Sequence, residues 1–121
     1  MITLIGLGGA FGAYARYSTG ILIKKYGSGS FPYGTWIVNI AGSLILGVLT
    51  SLFLSGEISD GTWYFSGVGF CGAFTTFSTF SYETIQLLQE EKYRIALTYV
   101  MSSVIIGGLA TVVGLFLPTW I

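Results

Sequence analysis

Ten charged residues punctuate the chain, and the intervals between them are almost wholly apolar. Lys24 and Lys25 form one cluster, Glu57 and Asp60 a second, and Glu90, Glu91, Lys92 and Arg94 a third; only Arg16 and Glu83 stand apart. Cutting at the clusters leaves four apolar stretches, Ile2–Ile23, Tyr33–Leu54, Trp63–Leu88 and Ile95–Trp120, each at least 20 residues long. That length crosses a hydrocarbon core of about 30 Å at about 1.5 Å per helical residue. No stretch alternates polar and apolar positions as a membrane strand would. The pattern predicts an all-α membrane protein, a single domain over 1–121 with four transmembrane helices and both termini on one side. The first stretch lacks the basic start of a cleaved signal peptide. Gly27-Ser28-Gly29-Ser30 reads as a flexible turn, and Pro32 marks the entry to the second helix.

Composition narrows the function. Of 121 residues, 53% are hydrophobic and 8% charged, against about 25% charged in a soluble domain. The absence of His removes His-based acid–base catalysis and the usual zinc sites. One cysteine, Cys71, allows neither an intrachain disulfide nor a cysteine metal cluster. Zero net charge and scattered basic residues leave no nucleic-acid patch. There is no nucleophile–base pair and no phosphate-binding glycine loop, so the chain is not read as an enzyme. The first and third connections hold Lys24, Lys25, Lys92 and Arg94, which by the positive-inside rule puts both termini outside the cytoplasm.

Within the stretches, polar groups are few and patterned. The first carries Gly8, Gly12 and Gly20, small residues that let membrane helices approach closely, with Arg16 on the same row. Arg16 has two readings: it snorkels to the interface, or it faces protein and water. The second holds Asn39, an amide that needs partners in hydrocarbon, followed by Gly42, Ser43 and Gly47. The third runs Gly67-Val68-Gly69-Phe70-Cys71-Gly72-Ala73-Phe74-Thr75-Thr76-Phe77-Ser78-Thr79-Phe80-Ser81-Tyr82-Glu83. Its glycines and β-branched threonines are poor helix formers, which predicts a helix broken near mid-membrane. Freed carbonyls at such a break suit a hard cation such as Na⁺. The fourth places Tyr99, Ser103, Gly107 and Thr111 at steps of four, one narrow polar stripe. These groups are nearly all donors, and the rims of Phe77 and Phe80 are electropositive. A donor-rich path of low charge suits a small anion, because it replaces hydration without trapping the ion.

The run Thr75-Thr76-Phe77-Ser78-Thr79-Phe80 after the glycines resembles the Fluc (CrcB) family of bacterial fluoride channels. So do Gly8-Gly9-Ala10-Phe11-Gly12-Ala13 with Arg16-Tyr17, and Asn39-Ile40-Ala41-Gly42-Ser43. The resemblance covers essentially the whole chain. It implies a multi-pass protein of the bacterial inner membrane, a dimer of inverted four-helix subunits with two fluoride pores and a structural Na⁺ at the dimer interface. Residue by residue, it implies that Phe77 and Phe80 are the pore phenylalanines and Asn39 the pore asparagine. Ser78, Thr79, Tyr99 and Ser103 become the polar track. Gly72 and Thr75 offer backbone carbonyls to Na⁺, and Arg16 and Glu83 take a vestibule or support role. The partners implied are fluoride, the lipid bilayer and a second subunit, in a homodimer or paired with an inverted paralogue. The alternative is a small multidrug-resistance-type proton-coupled exporter. That chemistry needs a carboxylate in the first helix, where this chain has Arg16.

Overall fold

The computed structural model describes residues 1–26, 29–75 and 77–120, and of 24–26 and 120 the backbone alone. The described residues form helices joined by short turns. Helix α1 spans Ile2–Tyr26 and α2 spans Tyr33–Leu54. Then come α3 (Asp60–Thr62), a π-helix π1 (Trp63–Cys71) and α4 (Gly72–Phe74), which follow one another without a gap. Helix α5 covers Phe77–Gln89 and α6 covers Tyr93–Trp120.

The helix bounds correct one reading of the charges. Lys24 and Lys25 belong to the end of α1, and Arg94 belongs to the start of α6, so of the four basic residues only Lys92 lies between helices. A helix has no reason to stop where its apolar stretch stops, since its backbone bonds continue into water. Lys92 Nζ stands 3.6 Å from Glu90 Oε2 and donates to Ser30 Oγ at 2.5 Å. Of the turn at Gly27-Ser28-Gly29-Ser30, Gly27 and Ser28 lie outside the described residues.

Two helix ends close by the same device. After α2, Gly56 N–H donates to Phe53 O and Glu57 N–H to Leu52 O, with Gly56 at φ 79°. After α5, Glu91 N–H donates to Leu88 O and Lys92 N–H to Leu87 O, with Glu91 at φ 61°. Both are Schellman caps, which need a left-handed residue; glycine adopts it freely and Glu91 does so under strain. At the other end, Ser59 Oγ accepts from Thr62 N–H and caps α3.

Glycines decide which helices pack closest. A Cβ at Gly8 would collide with the Phe65 carbonyl, and one at Gly12 with the Phe70 carbonyl, so α1 lies backbone against backbone on π1. Gly47 of α2 meets Gly114 of α6 in the same way, a Cβ on the first standing 3.2 Å from the Cα of the second. Close approach of small residues is how helices associate where lipid removes the hydrophobic drive between them. The glycines of the third stretch do not end the helix. Gly67 and Gly69 continue it in π geometry, Gly67 making room for the Trp63 ring, and Gly72 opens α4. The helical run stops later: Thr75 is extended at φ −80°, ψ 157°. Thr76 lies outside the described residues.

Little apolar surface is buried. The buried hydrophobics are Val38, Cys71, Phe74, Leu87, Ala96 and Tyr99, whereas Leu97, Val104, Ile105, Leu109 and Phe116 of α6 are exposed. Among the described residues two helices, α2 and α6, are long and apolar enough to cross a membrane. Only 17% and 6% of their most apolar windows are buried, which is opposite to the core helix of a soluble protein. The chain is an integral membrane protein of all-helical architecture.

Candidate functional site

Two cavities follow one another along α2. One, about 330 Å³, is lined by Asn39 and Ser43 of α2, by Thr75, by Phe77 and Phe80 of α5, and by Ser103 of α6. The other, about 370 Å³, is lined by Arg16 and Tyr17 of α1, Thr35 of α2 and Thr79 of α5. Sequence-expected residues from four helices therefore meet in two spaces. Asn39, Thr75, Phe77, Phe80 and Ser103 share the first; Arg16 and Thr79 share the second; Gly72, Ser78, Glu83 and Tyr99 line neither.

The aromatic groups are graded by exposure. Phe77 is 81% exposed, and Phe80 packs inward. Their ring centroids are 6.2 Å apart with planes 28° from parallel. Phe80 also lies 5.0 Å from the Tyr99 ring, and Phe31 meets the same Tyr99 ring edge-on at 5.5 Å. These contacts, with Leu87, Ala96 and Trp36, form the small core that seats α5 on α6.

The polar stripe of α6 points inward from its first turns. Tyr99 is fully buried, and the hydroxyl oxygens of Tyr99 and Ser103, one turn apart, are buried without a hydrogen-bond partner among the described residues. Buried polar atoms are nearly always satisfied, because desolvation without a partner is costly. Of the two, Ser103 lines the 330 Å³ cavity, where its hydroxyl can donate to a ligand's lone pairs; Tyr99 lines neither cavity. Further along the stripe, Thr111 Oγ1 donates back to the Gly107 carbonyl at 3.1 Å.

Glu83 accepts a hydrogen bond from Thr35 Oγ1, which ties α5 to α2. Trp36 Nε1 donates to Ser102 Oγ at 2.9 Å and ties α2 to α6. Neither Thr35, Trp36 nor Ser102 was legible as a site residue in the sequence, since each becomes informative only when its distant partner is known. Ser78 is exposed on α5, and neither Ser78 nor Thr79 is without a partner. Gly72 is exposed, and a Cβ there would meet nothing within 4 Å. Thr75 is half-buried; its N–H and its Oγ1 both donate to the Cys71 carbonyl, at 3.0 and 2.9 Å. No group of three or more His, Cys, Asp or Glu stands close enough to hold a metal among the described residues.

Comparison with known proteins adds the family. The family described as CrcB-like protein, Camphor Resistance (CrcB), matches residues 3–115. Fluoride-specific ion channel FluC 2 of Bacillus subtilis (strain 168) is 46% identical over 110 residues, covering 91% of this chain and 81% of the relative. Fluoride-specific ion channel FluC 2 of Clostridium acetobutylicum is 43% identical over 94% of each chain. Fluoride-specific ion channel FluC of Thermococcus kodakarensis is 50% identical over 84% of this chain and 82% of its own. With a match that runs through all of its long helices, the chain belongs to the CrcB family.

Proposed function

We propose that the chain is a passive, fluoride-selective channel that lets cytoplasmic fluoride leave the cell and so reduces its toxicity. The observation that carries the reading is the buried Ser103 hydroxyl, without a hydrogen-bond partner among the described residues, in the lining of a cavity that also holds Asn39, Phe77 and Phe80, with the buried Tyr99 hydroxyl one turn before it on α6. Fluoride is small and strongly hydrated, so its path must offer close donors in place of water. Hydroxyls, an amide and ring rims do this without the deep well that fixed positive charges would create. Such a path needs no moving gate or energy source: HF crosses lipid, ionises inside, and the trapped anion leaves down its own gradient.

The roles then follow position. Arg16 lines the other cavity and draws anions toward the mouth. Thr79 and Ser78 hand the ion along α5, Phe77 and Phe80 line the narrow part, and Asn39, Tyr99 and Ser103 complete the donor set. Glu83, held by Thr35, supports this wall. The four apolar stretches each cross the bilayer, with the interruption at Thr75 near its middle, where irregular backbone needs protein or a cavity around it.

The functional unit in this reading is an antiparallel dimer of the chain. Support comes from Phe77 and Gly72, which are exposed at the interruption of a helix that would otherwise face hydrocarbon. The acidic neighbours of Lys92 blunt the charge bias that would favour a single insertion direction. A structural Na⁺ fits the donors at this place: Gly72 lies one turn before the extended Thr75, helix ends leave carbonyls to other partners, and carbonyl oxygens are hard ligands. Gly72 and Thr75 would each contribute one carbonyl, and the inverted subunit two more. The ion would supply a fixed positive charge that holds the two subunits together.

The test is fluoride efflux from liposomes containing the purified chain, followed with a fluoride electrode. Flux that prefers fluoride to chloride and is abolished by Phe80→Ile supports the reading. Flux indifferent to changes at Phe77, Phe80 and Asn39 overturns the pathway.

A further inference from the structure

The hydroxyl row on α6 has a gap. Tyr99 and Ser103 are followed one turn later by Gly107, which has no donor, and then by Thr111, whose hydroxyl is committed to the Gly107 carbonyl. Gly107 is buried, so the gap faces protein. What stands opposite it is Ser43 of α2. A Cβ at Gly107 would meet Ser43 Oγ at 3.8 Å and nothing nearer. Ser43 also lines the 330 Å³ cavity with Asn39, Phe77, Phe80 and Ser103.

We propose that Ser43 is a further anion-coordinating donor, supplying from α2 the hydroxyl that Gly107 leaves out of the α6 row. The inference rests on the fluoride pathway proposed above and adds to it a residue on the opposite wall.

At rest Ser43 Oγ donates to the Asn39 backbone carbonyl at 2.7 Å, a bond within its own helix. That bond keeps the hydroxyl satisfied when no ion is near. A rotation about its own side chain turns the proton into the cavity. A hydrogen bond to an ionised acceptor is roughly twice as strong as a neutral one, so a passing anion wins the proton from the carbonyl. The carbonyl takes it back when the ion moves on. Back-bonding alone does not mark such a site: Thr50 donates to Leu46 O in the same way on α2, and it lines neither cavity. The cavity and the facing glycine distinguish Ser43.

The experiment compares fluoride efflux from liposomes holding the wild-type chain, Ser43→Ala, Ser43→Cys and the double variant Ser43→Ala with Gly107→Ser. Losing one charge-assisted donor should slow efflux about tenfold in Ser43→Ala. Ser43→Cys keeps the volume with a weak donor, so it should also be slow, and it decides the matter if the alanine variant does not fold. Gly107→Ser restores a hydroxyl to the same space from the other helix, so the double variant should recover most of the lost rate. A conducting wild type with undiminished flux in Ser43→Ala overturns the role of Ser43 and leaves the pathway standing. Slow flux in Ser43→Ala that Gly107→Ser does not recover also overturns it, because the hydroxyl then serves only the α2 backbone. A wild type that carries no fluoride overturns the pathway itself.

Discussion

The helical run that ends at Phe74 and the helix that begins at Phe77 are consecutive in the chain and are held by opposite means. Before Thr75, position is set by backbone. Gly8 and Gly12 lay α1 directly on the carbonyls of Phe65 and Phe70, and Gly69 lies against the Ile5 carbonyl and the Gly9 nitrogen. After Thr75, position is set by side chains: Thr35 on Glu83, the Phe80 ring on Tyr99, and Leu87 in the small core. Backbone contacts have no rotamers to change and make a fixed frame. Side-chain contacts can be remade around an ion, and the candidate donors gather on this second side. A rigid half and an adjustable half therefore meet at one extended residue.

Breaking the rigid half should have the largest effect. Gly12→Val drives a branched side chain into the Phe70 carbonyl, with no flexible neighbour to yield. It should cost roughly 3 kcal/mol or more, seen as loss of monodisperse protein in detergent and a collapsed melting transition. Wild-type behaviour would show that the two backbones can part cheaply. On the adjustable side, Thr35→Val removes the donor to Glu83 and should cost about 1.5–3 kcal/mol in reversible unfolding in micelles. In a cycle with Glu83→Gln the two changes should be strongly non-additive, and additive effects would dissolve the link between α2 and α5.

Two smaller changes sharpen the contrast. Glu91→Gly relieves the left-handed residue at the end of α5 and should raise stability by up to about 1 kcal/mol, with flux unchanged. A loss of stability there would mean that the Glu91 side chain has a compensating contact. Tyr99→Phe removes a hydroxyl without a hydrogen-bond partner among the described residues, so unfolding should shift by less than about 0.5 kcal/mol while fluoride efflux slows. A large loss of stability with intact flux would assign that hydroxyl to the fold alone.

Much of the helix plan could be read from charge spacing. Tyr33–Leu54 is a helix with the bounds the apolar stretch predicts, because nothing inside it competes with helix formation and Pro32 and Gly56 punctuate its ends. The ends of α1 and α6 were not readable in this way: Lys24, Lys25 and Arg94 extend helices into water at little cost. The third stretch shows the limit of propensity. Gly67 and Gly69 have low helix propensity as isolated residues, yet packing against Trp63 and α1 keeps them helical, and the extended residue is Thr75.

The order of residues was enough to establish a chain poor in charge, long apolar helices, and a short list of donors and aromatics with no partners of opposite chemistry nearby. Those properties are local, since they depend on side-chain type and spacing along one helix. Which donors face the same space was decided by folding alone. Asn39, Phe80 and Ser103 converge because Gly47 and Gly114 bring α2 and α6 together while Leu87 and Tyr99 seat α5 against α6. The rotation of one helix against another depends on contacts between residues far apart in the chain, and no single-helix pattern encodes that angle.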